Sequence, residues 1–431
     1  MAEGQGDPVA KRQFAALVNE AVTMAGAAQV PVEQLRGVAF FDSQKDERLV
    51  SLTSFESAVA AAPSLPNFTL RFGSAAGRRI VLQFLYEYFR RHGTVEFNEA
   101  VFEALWRDLF AEIDEPYWIF PGVANMRCFR AADDPINLGD GITIRGRNPD
   151  DLANLGFDDY VWDRISEDWG GFGSSSFVMV VEHRVPKQPD NLMLTDLSSV
   201  SIKAMRALGA LRLAGVGSVS IGPMWVIRPG RFNVGLGGHS STGVSIPTMG
   251  SEYVWTEQIA QRFPAIYSEL RQLEPEGYSQ APGNLAVPLR AFMATYDRWP
   301  SHPESQLLDA ITALEAVLGT EAELSFRLAF RVSGLLAATD DERARLLKLM
   351  KGFYDTRSRV VHGGALKQKH TQHLGMIEDL RSLVRRLLRS FLAFGASPPN
   401  GYNKSFFDEN LDAALVHAAE RQKLRTALRL D

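Results

Sequence analysis

Cysteine is nearly missing from this chain: Cys128 stands alone among 431 residues. One thiol closes no intrachain disulfide, so a disulfide-stapled fold is excluded and a reducing compartment is expected. Long apolar runs are missing too. No window of about 18 residues is both uncharged and apolar enough to span a bilayer. The longest candidate, 208–227, carries Arg212 together with glycines and prolines, which suits sheet and turns better. The opening residues Met1-Ala2-Glu3-Gly4-Gln5-Gly6-Asp7-Pro8 hold no apolar stretch of the signal-peptide kind. A cytoplasmic location without membrane contact is the expectation.

Recognisable chemistry is sparse as well. His370 and His373, with Glu378 nearby, make a weak set of metal ligands, so neither a metal nor another cofactor is expected. Gly215-Val216-Gly217 and Gly235-Leu236-Gly237-Gly238 lack the third glycine of a dinucleotide loop and the Gly-Lys-Ser/Thr of a phosphate loop. Gly238-His239-Ser240-Ser241-Thr242-Gly243 places its last glycine one position late for a nucleophile elbow. Trp118, Trp162, Trp169, Trp225 and Trp255 read as core residues.

What is present is ordinary in amount and uneven in placement. Hydrophobic residues make up 45% and charged residues 23%, as in globular proteins. The length exceeds what one core usually supports, so at least two domains are expected. The net charge is −5, yet 343–389 holds twelve Lys/Arg against Asp355, Glu378 and Asp379. That basic island on an acidic body suits a polyanion, or else a helical hairpin with solvated faces.

The expected fold class is an α+β N-terminal domain with an antiparallel sheet, followed by an all-α helical bundle. Helical spacing runs through Phe14–Met24 and Arg78–Arg91, and Asn98 is placed to cap a third helix. A strand is expected at 38–41 and a turn at 42–46. Further strands are expected at 142–144, 177–181, 219–221, 224–227 and 243–246, with a helix at 199–213 between them. A helix at 251–272 leads to the Pro- and Gly-rich linker 274–284, where the domain boundary is placed. The domains are therefore 1–284, 285–395 and a terminal loop and helix at 396–431. In the bundle, helices are expected at 285–299, after a Ser301 cap with Pro303 in the first turn, at 323–338, from an Asp340 cap to His362, at 371–394 and at 406–430.

One stretch gathers the chemistry: Tyr354-Asp355-Thr356-Arg357-Ser358-Arg359-Val360-Val361-His362-Gly363-Gly364. Histidine, with an ordinary pKa of about 6.5, can move protons near neutral pH. Arginine offers a permanently charged fork to phosphoryl oxygens. Five residues along a helix put Arg357 and His362 roughly 140° apart, so they converge only if the two glycines unwind the last turn or a second chain supplies one of them. Glu315 can orient Arg357 from the neighbouring helix. A structural reading competes: Arg357 lies in line with Leu346, Met350, Phe353 and Val360, a buried stripe, and His362 can simply favour a helix C-terminus.

Leu308–Gly319, Glu323–Ala329 and Tyr354–Gly364, in this order and spacing, resemble the ApeA-like branch of the HEPN superfamily. The resemblance covers about 290–392. It implies a dimerising helical bundle whose facing motifs form a composite site, and in many members a ribonuclease that needs no metal. It assigns Arg357 and His362 as the motif pair, Ser358 as the polar residue after the arginine and Glu315 as the acidic residue of the preceding block. The functional expectation is a metal-independent endoribonuclease, a defence or toxin effector regulated by the N-terminal domain and acting as a homodimer. RNA phosphates would be met by Lys351, Arg359, Arg385, Arg386 and Arg389, and a base by Tyr354. Two other readings remain: a non-catalytic HEPN module that binds RNA or nucleotide or simply dimerises, and a small-molecule enzyme housed in 115–250.

Overall fold

The computed structural model describes residues 7–29, 43–65, 77–110, 117–132, 134–147, 177–186, 195–226, 238–240, 251–273, 285–297, 302–319, 323–395 and 411–430. The strand expected at 38–41, the strand at 243–246, the linker 274–284, the Ser301 cap, the loop at 396–405, Trp162 and Trp169 lie outside them. Two compact units emerge. One comprises Met1–Asn125, Arg145–Ser201 and Pro223–Thr242, the other Met126–Ile144, Ile202–Gly222 and Gly243–Asp431.

In the first unit, α1 (Pro8–Ala27) begins where the Asp7 carboxylate accepts the Val9 N–H and Pro8 takes the first helical position. Next come α2 (Ser43–Val50), α3 (Phe55–Ala61), α4 (Gly77–His92) and α5 (Glu99–Phe110). The turn expected at 42–46 gives way to the start of α2, because Ser43-Gln44-Lys45-Asp46 carries no glycine or proline to stop a helix. Asn98 does cap α5, accepting the Val101 N–H at 3.2 Å. Phe14 meets the Phe84 ring edge-on at 5.2 Å and Trp106 at 5.5 Å, all buried in one cluster. Truncating such a ring to alanine costs about 3–5 kcal/mol.

The strands are β1 (Tyr117–Arg127), β2 (Phe129–Arg130), β3 (Ile136–Gly139), β4 (Ile142–Gly146), β5 (Phe177–Pro186), β6 (Ser220–Val226), β7 (Gly238–Ser240) and β8 (Tyr253–Val254), with α6 (Thr195–Ala214) between β5 and β6. Their order is β3-β4-β5-β1-β6-β7 in one sheet, with β2-β8 as a separate pair. The β3–β4 and β6–β7 pairings are antiparallel, and β2–β8 is parallel. Two strands were expected where β6 runs unbroken through Gly222-Pro223. The 11-residue β1 escapes the pattern because Pro121-Gly122 interrupts its alternation. Glycine is required at 122: a Cβ there would lie 2.4 Å from a Val200 methyl and 2.9 Å from the Met224 sulfur.

The rest of the second unit is helical: α7 (Glu257–Leu273), α8 (Ala286–Asp297), α9 (Pro303–Leu318), α10 (Leu324–Leu336), α11 (Asp340–Val361), α12 (Gln368–Leu374), α13 (Ile377–Gly395) and α14 (Ala418–Ala427). Residues 253–254, expected as helix, are extended and form β8. The helix expected at 371–394 is two, divided at Gly375-Met376. The terminal segment is helical over 411–416 and again in α14, broken at His417. Buried Arg331 on α10 fastens that segment, gripping Asp412 at 2.7 and 3.1 Å while giving a third hydrogen bond to the Leu318 carbonyl. Among the described residues no helix is long and apolar enough to cross a membrane.

Candidate active site

Local sequence fixes both ends of α11. Thr339, rather than Asp340, is its cap: its hydroxyl accepts the Glu342 N–H at 3.2 Å, and Glu342 reaches back to the Ala338 N–H at 2.8 Å. At the other end Gly363 turns left-handed at φ 65°. Its N–H reaches the Val360 carbonyl at 3.3 Å and the Gly364 N–H reaches the Arg359 carbonyl at 2.9 Å. Those are the two bonds of a Schellman stop.

This stop decides where His362 goes. Its N–H still donates to the Ser358 carbonyl at 3.1 Å, so the last turn stays wound. The glycines do not swing the imidazole towards Arg357, and the roughly 140° between the two positions persists within one chain. His362 is exposed, with the exposed apolar side chains of Val361 and Leu366 on either side of it.

Arg357 is half-buried and lies over the Tyr354 ring, 5.6 Å from its centroid. One guanidinium nitrogen is 3.6 Å from Glu315 Oε2, on α9. The other carboxylate oxygen, Oε1, is buried with no hydrogen-bond partner. Burial first, and then the charge of Glu315, push the Tyr354 phenol above its ordinary value. Ser358 and Arg359 follow on the same helix, both half-buried, and Arg359 Nε is buried without a partner. The stripe facing the core is Met350, Phe353 and Thr356, while Leu346 and Val360 are only half-buried.

Not every expected cation faces outward. Arg385 is buried, and its guanidinium is committed to the Arg212 carbonyl, the Tyr296 hydroxyl, Ser382 and Glu378. Buried and with four of its hydrogen bonds made inside the protein, it is a structural residue of α13, which corrects its assignment as a phosphate contact. Half-buried Arg386 gives a hydrogen bond to the Leu336 carbonyl at 3.2 Å, at the open C-terminus of α10. Burial, and then the charges of Arg262, Arg385 and Arg386, hold Arg389 down at about 10. Lys351 does stay exposed, its ammonium 5.2 Å from the centroid of the Phe326 ring.

The histidine pair on α12 has structural partners instead of a metal. His370 is fully buried, with Nδ1 accepting the Lys367 N–H at 2.9 Å. The remaining nitrogen, Nε2, therefore carries the proton and donates to Asp355 Oδ2 at 3.1 Å. The Thr356 hydroxyl gives its proton to the Gly352 carbonyl, so His373 Nδ1, 2.9 Å away, must donate to it. Hydrogen bonds from Lys369 and His370 hold the Asp355 carboxyl below its usual range. Glu378 turns to Arg381 and Arg385. The three candidate ligands thus go to different partners, and among the described residues no group of three metal-binding side chains converges.

Ser240 lies in β7, paired to Met224 of β6. A cavity of about 340 Å³ is lined by Asp134, Pro135, Ile136, Asn137, Trp255, Phe263 and Pro264 among others. It places no base beside a nucleophile. Sequence reasoning missed Phe326, whose exposure shows only once α10 is packed. It also missed the Asp355–His370 contact, which the 15-residue separation hides. No family model matches the chain, and neither does any curated protein or solved structure.

Proposed function

We propose that the C-terminal helical region is a HEPN-type ribonuclease site that cuts RNA without a metal and is completed by a second copy of the chain. The observation that carries this is the contrast along α11. Arg357 is oriented by Glu315 and Tyr354 and keeps a partly open face, while five residues onward, on another face, His362 presents an exposed imidazole at the closed helix end. The two cannot meet within one chain while that turn stays wound. Exposed Val361 and Leu366 beside His362 give a second copy apolar surface to cover.

In such a pair, an imidazole takes the proton of the ribose 2′-hydroxyl and the freed oxygen attacks phosphorus. The partner's imidazole gives a proton to the departing 5′-oxygen. Arg357 compensates the charge on the phosphoryl oxygens, and Glu315 holds its guanidinium. The products are a 2′,3′-cyclic phosphate and a 5′-hydroxyl. A defence or toxin effector role, held in check by the first unit, is the biological setting that suits such an activity.

The test is RNA cleavage in EDTA. Wild-type protein is expected to cut, and His362→Ala to lower the rate by about 10²–10⁴-fold, the range for losing a positioned acid–base group. Arg357→Ala should lose at least about 10²-fold. Equal rates for all three proteins would leave only the non-catalytic binding module.

A further inference from the structure

Phe326 is an exposed aromatic side chain, at 51%. It sits on α10 with its ring parallel to Phe330, at 10° and 6.1 Å between centroids. Lys351 of α11 holds its ammonium 5.2 Å from the same ring. An aromatic face in water, braced by a second ring and flanked by a cation, joins the two groups that bind single-stranded nucleic acid: a stacking surface and a phosphate contact. Packing alone does not require it, since half of the Phe326 surface stays in solvent.

Position along α11 links this patch to the site above. Lys351, Ser358 and His362 are separated by seven and four residues, which brings them within about 20° of one helix face. Lys351 and His362 are then about 16 Å apart along the axis, close to the rise of five stacked nucleotides at roughly 3.4 Å each. Lys348, one turn earlier, and Arg345 are exposed as well. Acids near the patch are paired: Glu323 is 3.8 Å from Arg327, Asp412 is gripped by Arg331, and Asp355 is held by Lys369 and His370.

We propose that Phe326, Phe330 and Lys351 form a stacking subsite that holds one base of a single-stranded RNA a few nucleotides from the cleavage point. This rests on the ribonuclease reading for its role but not for its binding. The probe is a fluorescein-labelled 2′-O-methyl decauridylate, which lacks the attacking hydroxyl and so reports binding apart from cutting.

Anisotropy titration of the full chain should show Phe326→Ala weakening the affinity about tenfold. Phe326→Trp should restore it, and Phe326→Leu, which keeps the apolar contact with Phe330, should not. Lys351→Ala should lower the slope of log affinity against log salt by about 1. Thermal melts of the variants control for folding.

Wild-type affinity in Phe326→Ala, or failure of wild-type protein to bind the probe, overturns the subsite. So does a Phe326→Ala protein whose main change in sedimentation is loss of a dimer, since the patch would then face a second copy. Tenfold weaker binding combined with no EDTA-resistant cutting supports the subsite and removes the nuclease. Unchanged binding with cutting lost in His362→Ala does the reverse.

Discussion

Two tyrosines of the second unit sit under arginines, and their surroundings differ in access to water and in how fully the charges are paired. Tyr296 is buried, with the guanidinium carbons of Arg212 and Arg381 at 4.6 and 4.5 Å from its ring centroid and Arg385 donating to its hydroxyl. Asp297 takes two hydrogen bonds from Arg212, and Glu378 bridges Arg381 and Arg385. Around Tyr354 the same residue types recur in looser form, with one arginine, one carboxylate at 3.6 Å and a buried carboxylate oxygen that has no hydrogen-bond partner. The first set is closed by hydrogen bonds and reads as architecture. In the second, the guanidinium stands 3.6 Å from its carboxylate and keeps 29% of its surface in solvent, so its charge is less fully engaged.

The sharpest way to break this comparison is Arg212→Ala. Arg212 is fully buried and also donates to the Val219 carbonyl at 3.1 Å. Its loss leaves Asp297 without its bidentate partner and opens a void among Met293, Tyr296 and Leu208. Breaking a fully buried pair costs about 3–5 kcal/mol; Asp297 keeps 28% of its side chain in solvent, so the loss should lie at the low end, and the urea midpoint should fall accordingly. A loss below about 2 kcal/mol would mean that the Tyr296 cluster is no more structural than the Tyr354 one.

The back of α11 should respond by an intermediate amount, and through pH. Burial first, then the charges of His370 and Lys369, hold folded His373 below its ordinary 6.5. The unfolded chain therefore takes up this proton before the folded chain does. The group's contribution to stability is whole above about 6.5 and drains as pH falls from there towards the lowered folded value. Urea midpoints measured from pH 7.5 to 5 should decline for the wild type and decline less for His373→Gln. Parallel curves would show that the ring is not held neutral against Thr356.

The readable parts of this sequence were those whose cause is local. Asn98, Pro303 and Gly363-Gly364 mark helix ends by rules that act within four residues, and the structure keeps all three. The mostly helical C-terminal region and a small antiparallel sheet follow from periodicity in the same way. What was not legible depends on distant partners. Arg385 looked like one more exposed cation on a basic helix, but Tyr296, 89 positions away, turns it inward. Phe326 sits at a helical position that spacing alone would bury. The break at Gly375-Met376 was hidden because apolar spacing continues across it.

Arg357→Ala gives the smallest stability change and sharpens the comparison from the other side. Its ion pair with Glu315 is longer than a hydrogen bond, and both side chains keep some solvent contact, at 29% and 19%. Pairs of this kind contribute about 0–1 kcal/mol. The cation–π contact with Tyr354 adds about 0.5–1 kcal/mol at such a site. The buried Glu315 oxygen adds to the cost, because it loses the guanidinium that offsets its desolvation. The net loss of urea stability should be about 2 kcal/mol, below that for Arg212→Ala, while EDTA-resistant cleavage falls by two orders of magnitude or more. That split separates an arginine kept for chemistry from one kept for packing. A stability loss as large as that of Arg212→Ala, with cleavage falling only in proportion to the folded fraction, would place Arg357 with the structural arginines and leave His362 without a partner.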